Sequence, residues 1–198
     1  MSTITIDWTA QLLDQLEWHW NAQLRPRLEG LTDDEYLWEP AQPAWNVRPR
    51  GTSSAPVQAG SGPFIVEFAF PEPDPPPVTT IAWRLAHIIV GVLGMRSAAH
   101  FGGPPVDYPS FAYAGTAADA LGQLDDAYAR WTAGVRGLDA AGLAAPCGPA
   151  EGPYAEYPMA ALVLHINREV IHHGAEVALL RDLYRTGPFG AVVPIEAT

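Results

Sequence analysis

The chain has no lysine. All 11 of its basic residues are arginine, which removes every enzyme class that relies on a Schiff-base amine or on the lysine of a phosphate-binding loop. Positive charge is scarce altogether: 22 acidic residues against 11 basic ones give a net charge of -11 and an isoelectric point near 4.8. Duplex binding draws most of its affinity from Lys and Arg, so nucleic acid is not an expected partner. A single cysteine, Cys147, forbids an internal disulfide and agrees with a reducing compartment. No uninterrupted apolar stretch approaches the ~20 residues of a bilayer span. The opening MSTITIDWTA has no basic and then apolar order of a secretory signal. These absences lead us to expect a cytoplasmic protein without a membrane partner.

What is present is enough apolar residue for one core. With 198 residues and 48% hydrophobic content, the chain reads as a single domain spanning 1–198. Leu12, Leu13, Leu16, Trp20, Leu24 and Leu28 recur on one face between Asp7 and Glu29 and predict a long amphipathic helix. Thr32 followed by Asp33, Asp34 and Glu35 has the pattern of a cap with an acidic first turn, so a short helix should end near Pro40. From Pro40 to Thr79 half of the prolines gather, which predicts a long loop with at most one short strand or extended arm at Phe64–Phe70. Loops of this length are often binding loops or lids.

A second long helix should start at Thr79 or Thr80 and reach His100, with Ile81, Leu85, Ile88, Ile89, Val92 and Met95 on its apolar face. A third follows Thr116 on a stripe of Ala120, Leu124, Tyr128 and Trp131 and fades at Gly137. After a further Pro and Gly loop to Tyr154, a fourth runs from Pro158 to Tyr184 through Leu162, Val163, Ile166, Val170, Val177, Leu180 and Leu183. The fold class this predicts is all-α, a four-helix bundle with a long Pro/Gly-rich loop between the first and second long helices.

The fourth helix carries too many polar groups for packing alone. Within Leu164–Glu176, Glu169 and His173 lie one turn apart, and His165, His172 and Glu176 project within about 60° of Glu169. Imidazole and carboxylate suit Zn, Ni, Fe or Mn, and two ligands at i and i+4 can hold one ion. A third ligand must come from another element, and His87 in the apolar second helix is the best candidate, since a buried imidazole needs a partner. Periodicity does not choose between His172 and His173. An ordinary hydrogen-bonded core histidine and an ion-paired Glu169 remain the alternative.

The segment Thr80-Ile81-Ala82-Trp83-Arg84-Leu85-Ala86-His87-Ile88, together with Asn167-Arg168-Glu169-Val170-Ile171-His172-His173-Gly174-Ala175-Glu176, resembles the DinB-like superfamily of four-helix metal proteins over most of the chain. In that family a histidine of the second helix and two residues four apart on the last helix hold a divalent ion. The resemblance therefore implies His87, Glu169 and His173 as ligands, with Glu169 where histidine is common. A His, Glu and His set is similar to the mycothiol-dependent maleylpyruvate isomerase branch. It implies a metal-dependent enzyme using mycothiol or another low-molecular-weight thiol, as an S-transferase or isomerase acting on a small molecule, with Zn first among the metals and a homodimer as the assembly. The alternatives are a non-catalytic metal-binding or stress-response bundle, and a metal-assisted hydrolase.

Four further residues are candidates beside the ligands. His165 and His172 would orient substrate or donate to Glu169, and Arg84 and Arg168 would take a carboxylate or a thiol cofactor, the plainer reading being ion pairs. Cys147 has no adjacent helical His or Lys to activate it. His100 fits as an imidazolium at a helix C-terminus.

Overall fold

The computed structural model describes residues 6–187, so the outermost residues of the expected 1–198 domain lie outside it. Helix α1 spans 8–27; its amide at Ala10 donates to the Asp7 carboxylate, and Leu12, Leu13, Leu16, Trp20 and Leu24 are all buried. The predicted stripe is thus the buried face. Between Trp20 and Leu24 the helix widens into a π turn. Helix α2, Asp33–Tyr36, is capped by Thr32, whose hydroxyl accepts from the amide of Glu35. Helix α3 spans Ile81–Phe101 and is capped in the same way by Thr80. Helix α4, Ala117–Arg136, begins at Thr116, α5 is Ala140–Ala144, and α6 is the longest at Met159–Thr186.

The four long helices meet through these apolar faces. Helix α3 packs on α4 and α6, and α1 packs on α4 and α6, with Leu85, Ile88, Leu93, Leu124, Trp131, Val170 and Val177 completely or almost completely buried among them. By length and composition α3 is apolar enough to cross a membrane, yet 61% of its most apolar window is buried inside the protein. Its apolarity serves the core. The exception to the predicted pattern is Leu183, which is exposed.

The stretch from Pro40 to Thr79 departs from the all-α expectation of a loop holding at most one strand. It contains five short strands: β1 Ala44–Trp45, β2 Val47–Pro49, β3 Val57–Ala59, β4 Phe64–Phe68 and β5 Val78–Thr79. Strands β1 and β5 pair in parallel, and β4 lies antiparallel between β2 and β3 with Val66 opposite both Val47 and Ala59. Strands this short have too few residues to show a period, and their pairing joins residues far apart in sequence, so they escape pattern reading. The helical part of the expectation stands; the strands correct the rest.

A buried polar cluster joins these strands to the start of α3. Thr80 donates to the side-chain oxygen of Asn46 at 2.8 Å, the Asn46 amide donates to Glu67 at 3.0 Å, and Trp83 donates through its indole to the Glu67 carbonyl at 2.6 Å. Arg48 closes the cluster on Glu67 at 2.8 Å and on Glu39 at 2.6 Å. The segment between α4 and α6 also holds more than a loop, namely α5 and a 3-10 turn at Pro149–Tyr154.

Candidate metal centre

His87 opens a π-helical stretch of α3, His87–Gly94, in which each turn holds one residue more than an α-turn. The apolar neighbours Ile88, Ile89, Val90, Val92 and Leu93 are buried on all sides, and His87 faces α6. There its ring meets that of His173 edge-on, with centroids 4.8 Å apart. Glu169 stands one turn before His173, its carboxylate 3.5 Å from the His173 Nε2. One ligand atom each from His87, Glu169 and His173 lie within 4.8 Å of one another, and since two bonds of about 2 Å to one ion set donors at most about 4 Å apart, a side-chain shift of about 1 Å would bring the set to bonding distance.

The electrostatics suit a cation. Burial, followed by the neighbouring His173 and Arg84, pushes His87 down to about 4, so its imidazole is neutral at physiological pH and keeps a lone pair. Glu169 has no close donor: His165 and His173 stand at 3.5 Å and Arg168 at 3.7 Å. Two imidazoles and one loosely engaged carboxylate form a donor set that fits a divalent ion of the Zn, Ni, Fe or Mn type.

Each histidine is held on its other nitrogen. The Nδ1 of His173 donates to Glu176 at 2.7 Å, and Arg84 lies 3.2 Å from the same carboxylate. Arg84 is also 3.4 Å from His173 Nδ1, but a nitrogen that donates to Glu176 does not accept from Arg84, and the shorter contact decides the tautomer. The Nδ1 of His87 is 2.8 Å from the hydroxyl of Tyr108, whose phenol is pushed up to about 12 by burial and stays protonated. In both rings Nε2 is left for an ion.

Gly91 makes the Tyr108 contact possible. A methyl group there would stand 2.1 Å from the Tyr108 oxygen and 3.1 Å from His87 Nδ1. Sequence reasoning did not single out Tyr108, Gly91 or the part played by Glu176. Glycine inside an apolar helix, at Gly91 and again at Gly94, is the one signal that could have pointed there.

The remaining predicted residues gather around the centre in different degrees. Arg84 touches it through Glu176 and is more than half buried against Trp83 and His173. His165 and Arg168 contact each other at 2.7 Å beside Glu169 and are largely exposed. His172 points outward, 63% exposed, and reaches Glu176 at 3.4 Å. A second ligand group, His172, His173 and Glu176, shares His173 with the first; there the Arg84 guanidinium already occupies the Glu176 carboxylate, which opposes a cation. His100 lies in the last turn of α3, as expected, and also pairs with Glu151 at 2.9 Å.

Fold and site together define a helical protein with a candidate metal centre between two of its helices. The model of the DinB superfamily matches residues 15–177, and the chain belongs to that superfamily. No curated protein and no solved structure matches it.

Proposed function

We propose that the chain is a divalent-metal enzyme that activates a low-molecular-weight thiol for transfer to an electrophile or for isomerisation, and that His87, Glu169 and His173 hold the ion. The observation that carries the metal is the convergence of these three donors within 4.8 Å at a partly open position between α3 and α6. Three protein ligands leave coordination positions for a substrate, the pattern of catalytic rather than structural sites. A divalent ion there supplies the positive charge that deprotonates a bound thiol at neutral pH. The thiol itself is supported by the His, Glu and His set, which resembles the thiol-dependent isomerase branch of the superfamily.

The protein's own groups set up that chemistry. His87 and His173 present their Nε2 atoms, Tyr108 and Glu176 fix their ring orientations, and Glu169 supplies a carboxylate. Arg84 neutralises Glu176 and keeps its carboxylate turned toward His173. We propose further that this is one four-helix-bundle domain acting on a small molecule in the cytoplasm as a homodimer, the exposed Trp8, Trp18 and Leu179 supporting an assembly of copies.

Protein purified without a histidine tag or chelator should carry or take up one Zn or Ni ion per chain, and Glu169→Ala should lower affinity at least about tenfold. Cobalt-loaded protein titrated with a thiol should develop a sulfur-to-metal charge-transfer band. Absence of any bound ion in the parent would sink the metal reading. An ion without the thiol band would leave a metal site that does not use thiols.

A further inference from the structure

A cavity of about 480 Å³ opens between the C-terminal half of α3, the 145–157 segment and the first turns of α6. Its apolar walls are left in solvent: Leu164, Tyr154 and Tyr157, which all line it, are 50%, 64% and 56% exposed. Large apolar groups clustered at the mouth of a concave site are what a partly apolar ligand covers.

The cavity is also lined by cationic groups, in a chain whose net charge is -11. Arg96 and Arg168 both line it. The Nε of Arg96 is buried and has no hydrogen-bond partner, while its terminal nitrogens serve the Gly91 carbonyl at 2.6 Å and Glu151 at 3.6 Å. Glu151, the only carboxylate among the described residues that line the cavity, is already taken by His100 at 2.9 Å and faces Arg96. The acid nearest Arg168 is Glu169, at 3.7 Å, and it belongs to the candidate metal centre. A buried guanidinium donor without an acceptor is costly, and a carboxylate matches the guanidinium fork.

We propose that this cavity binds an organic carboxylate with an aromatic or branched aliphatic body, its charged group on Arg168 and Arg96 and its body against Leu164, Tyr154 and Tyr157. His165 lines the cavity and stands 3.5 Å from Glu169, so the bound molecule lies beside the metal centre. That adjacency rests on the metal reading above; the binding does not.

Cys147, the chain's one cysteine, also lines the cavity, which makes its alkylation a reporter of occupancy at one place. Burial, then Glu151, pushes its thiol pKa up, so iodoacetamide labelling is followed at alkaline pH by intact mass. On metal-free protein, 4-phenylbutyrate should slow labelling, and 4-phenylbutan-1-ol should need about tenfold more to do the same, the size expected when a charge-assisted hydrogen bond loses its charge. Inorganic phosphate should not protect. The exposed Arg168→Gln variant should erase the difference between acid and alcohol while keeping the parent's circular dichroism. Equal protection by the alcohol, equal protection by phosphate, or none by the acid would each overturn the proposal. Zinc uptake measured on a zinc-reconstituted portion of the same preparation separates the two readings: protection without uptake retains the cavity and removes the metal, and uptake without protection does the reverse.

Discussion

Tyr108 enters the candidate centre through a gap one methyl group wide, and the two residues that form this contact should behave as a unit. Tyr108→Phe removes the partner of His87 Nδ1, and Gly91→Ala pushes the hydroxyl away by placing a carbon 2.1 Å from it. Each should weaken Zn affinity by about 10- to 100-fold, the range for groups that orient a ligating histidine. The double variant should be little worse than the more affected single one, because both break the same bond. Competition titration with a chromophoric chelator measures all three; additive losses would show that the two residues act separately. Arg181 poses a different residue-scale case. It is fully buried, pairs with Glu35 at 2.7 and 3.0 Å, and donates to carbonyls of Arg27 and Glu29. Arg181→Ala leaves the buried Glu35 carboxylate only the more distant Arg185, at 3.6 Å, and should cost about 3 kcal/mol in denaturant unfolding. Replacing both charges by Met and Leu should restore much of that loss.

The strands of residues 44–79 hang on one end of α3, so their stability should follow the cluster that joins them to it. Burial raises the Glu39 carboxyl, but hydrogen bonds from Arg48, Gln42 and Asn46 outweigh it, and the net effect holds Glu39 below its ordinary 4.5. The unfolded chain therefore takes up the proton first as acid is added. The contribution is whole above the ordinary carboxyl range and fades as pH falls through the lowered folded value. Amide exchange in β2 and β4 should accordingly quicken under acid before exchange in α4 does, and Arg48→Met should flatten that difference. Exchange that rises uniformly over both elements would mean the strands are not separately anchored. Pattern reading located α1, α3, α4 and α6 to within a few residues because each buries a 3.6-residue stripe, and α1, α3 and α4 start at the side-chain caps Asp7, Thr80 and Thr116 while α6 follows Pro158. It placed a strand where β4 lies but missed β1, β2, β3 and β5, because two- and three-residue strands acquire their identity from a partner across the sheet.

At the scale of the whole molecule, an ion bridging α3 and α6 ties together two helices that otherwise meet through packing. Binding to the folded state alone adds about 2.7 kcal/mol at a hundredfold excess over Kd. Zinc should therefore raise the melting temperature of the parent protein, and chelator should reverse the rise. In Glu169→Ala the shift should shrink or vanish, whereas in the outward-facing His172→Ala it should persist, since His172 reaches only Glu176. Loss of the shift in His172→Ala with the shift retained in Glu169→Ala would move the ion to the His172, His173 and Glu176 group. Size-exclusion chromatography with light scattering tests the proposed homodimer on the same samples.

Composition and local pattern by themselves determined the helical class, the stripes that form the core and the short list of polar residues on α6, because burial of an amphipathic face leaves its period in the sequence. Local pattern also named His87 as the natural partner from another helix. Only the folded chain decided that His173, 8% exposed, turns inward while His172 stays in solvent. It alone brought Tyr108 through the gap at Gly91 and set Arg96, Cys147 and Arg168 around one cavity. Those relations join residues tens of positions apart. A helical period fixes which way a side chain points within about a turn, and only packing between elements fixes what it meets.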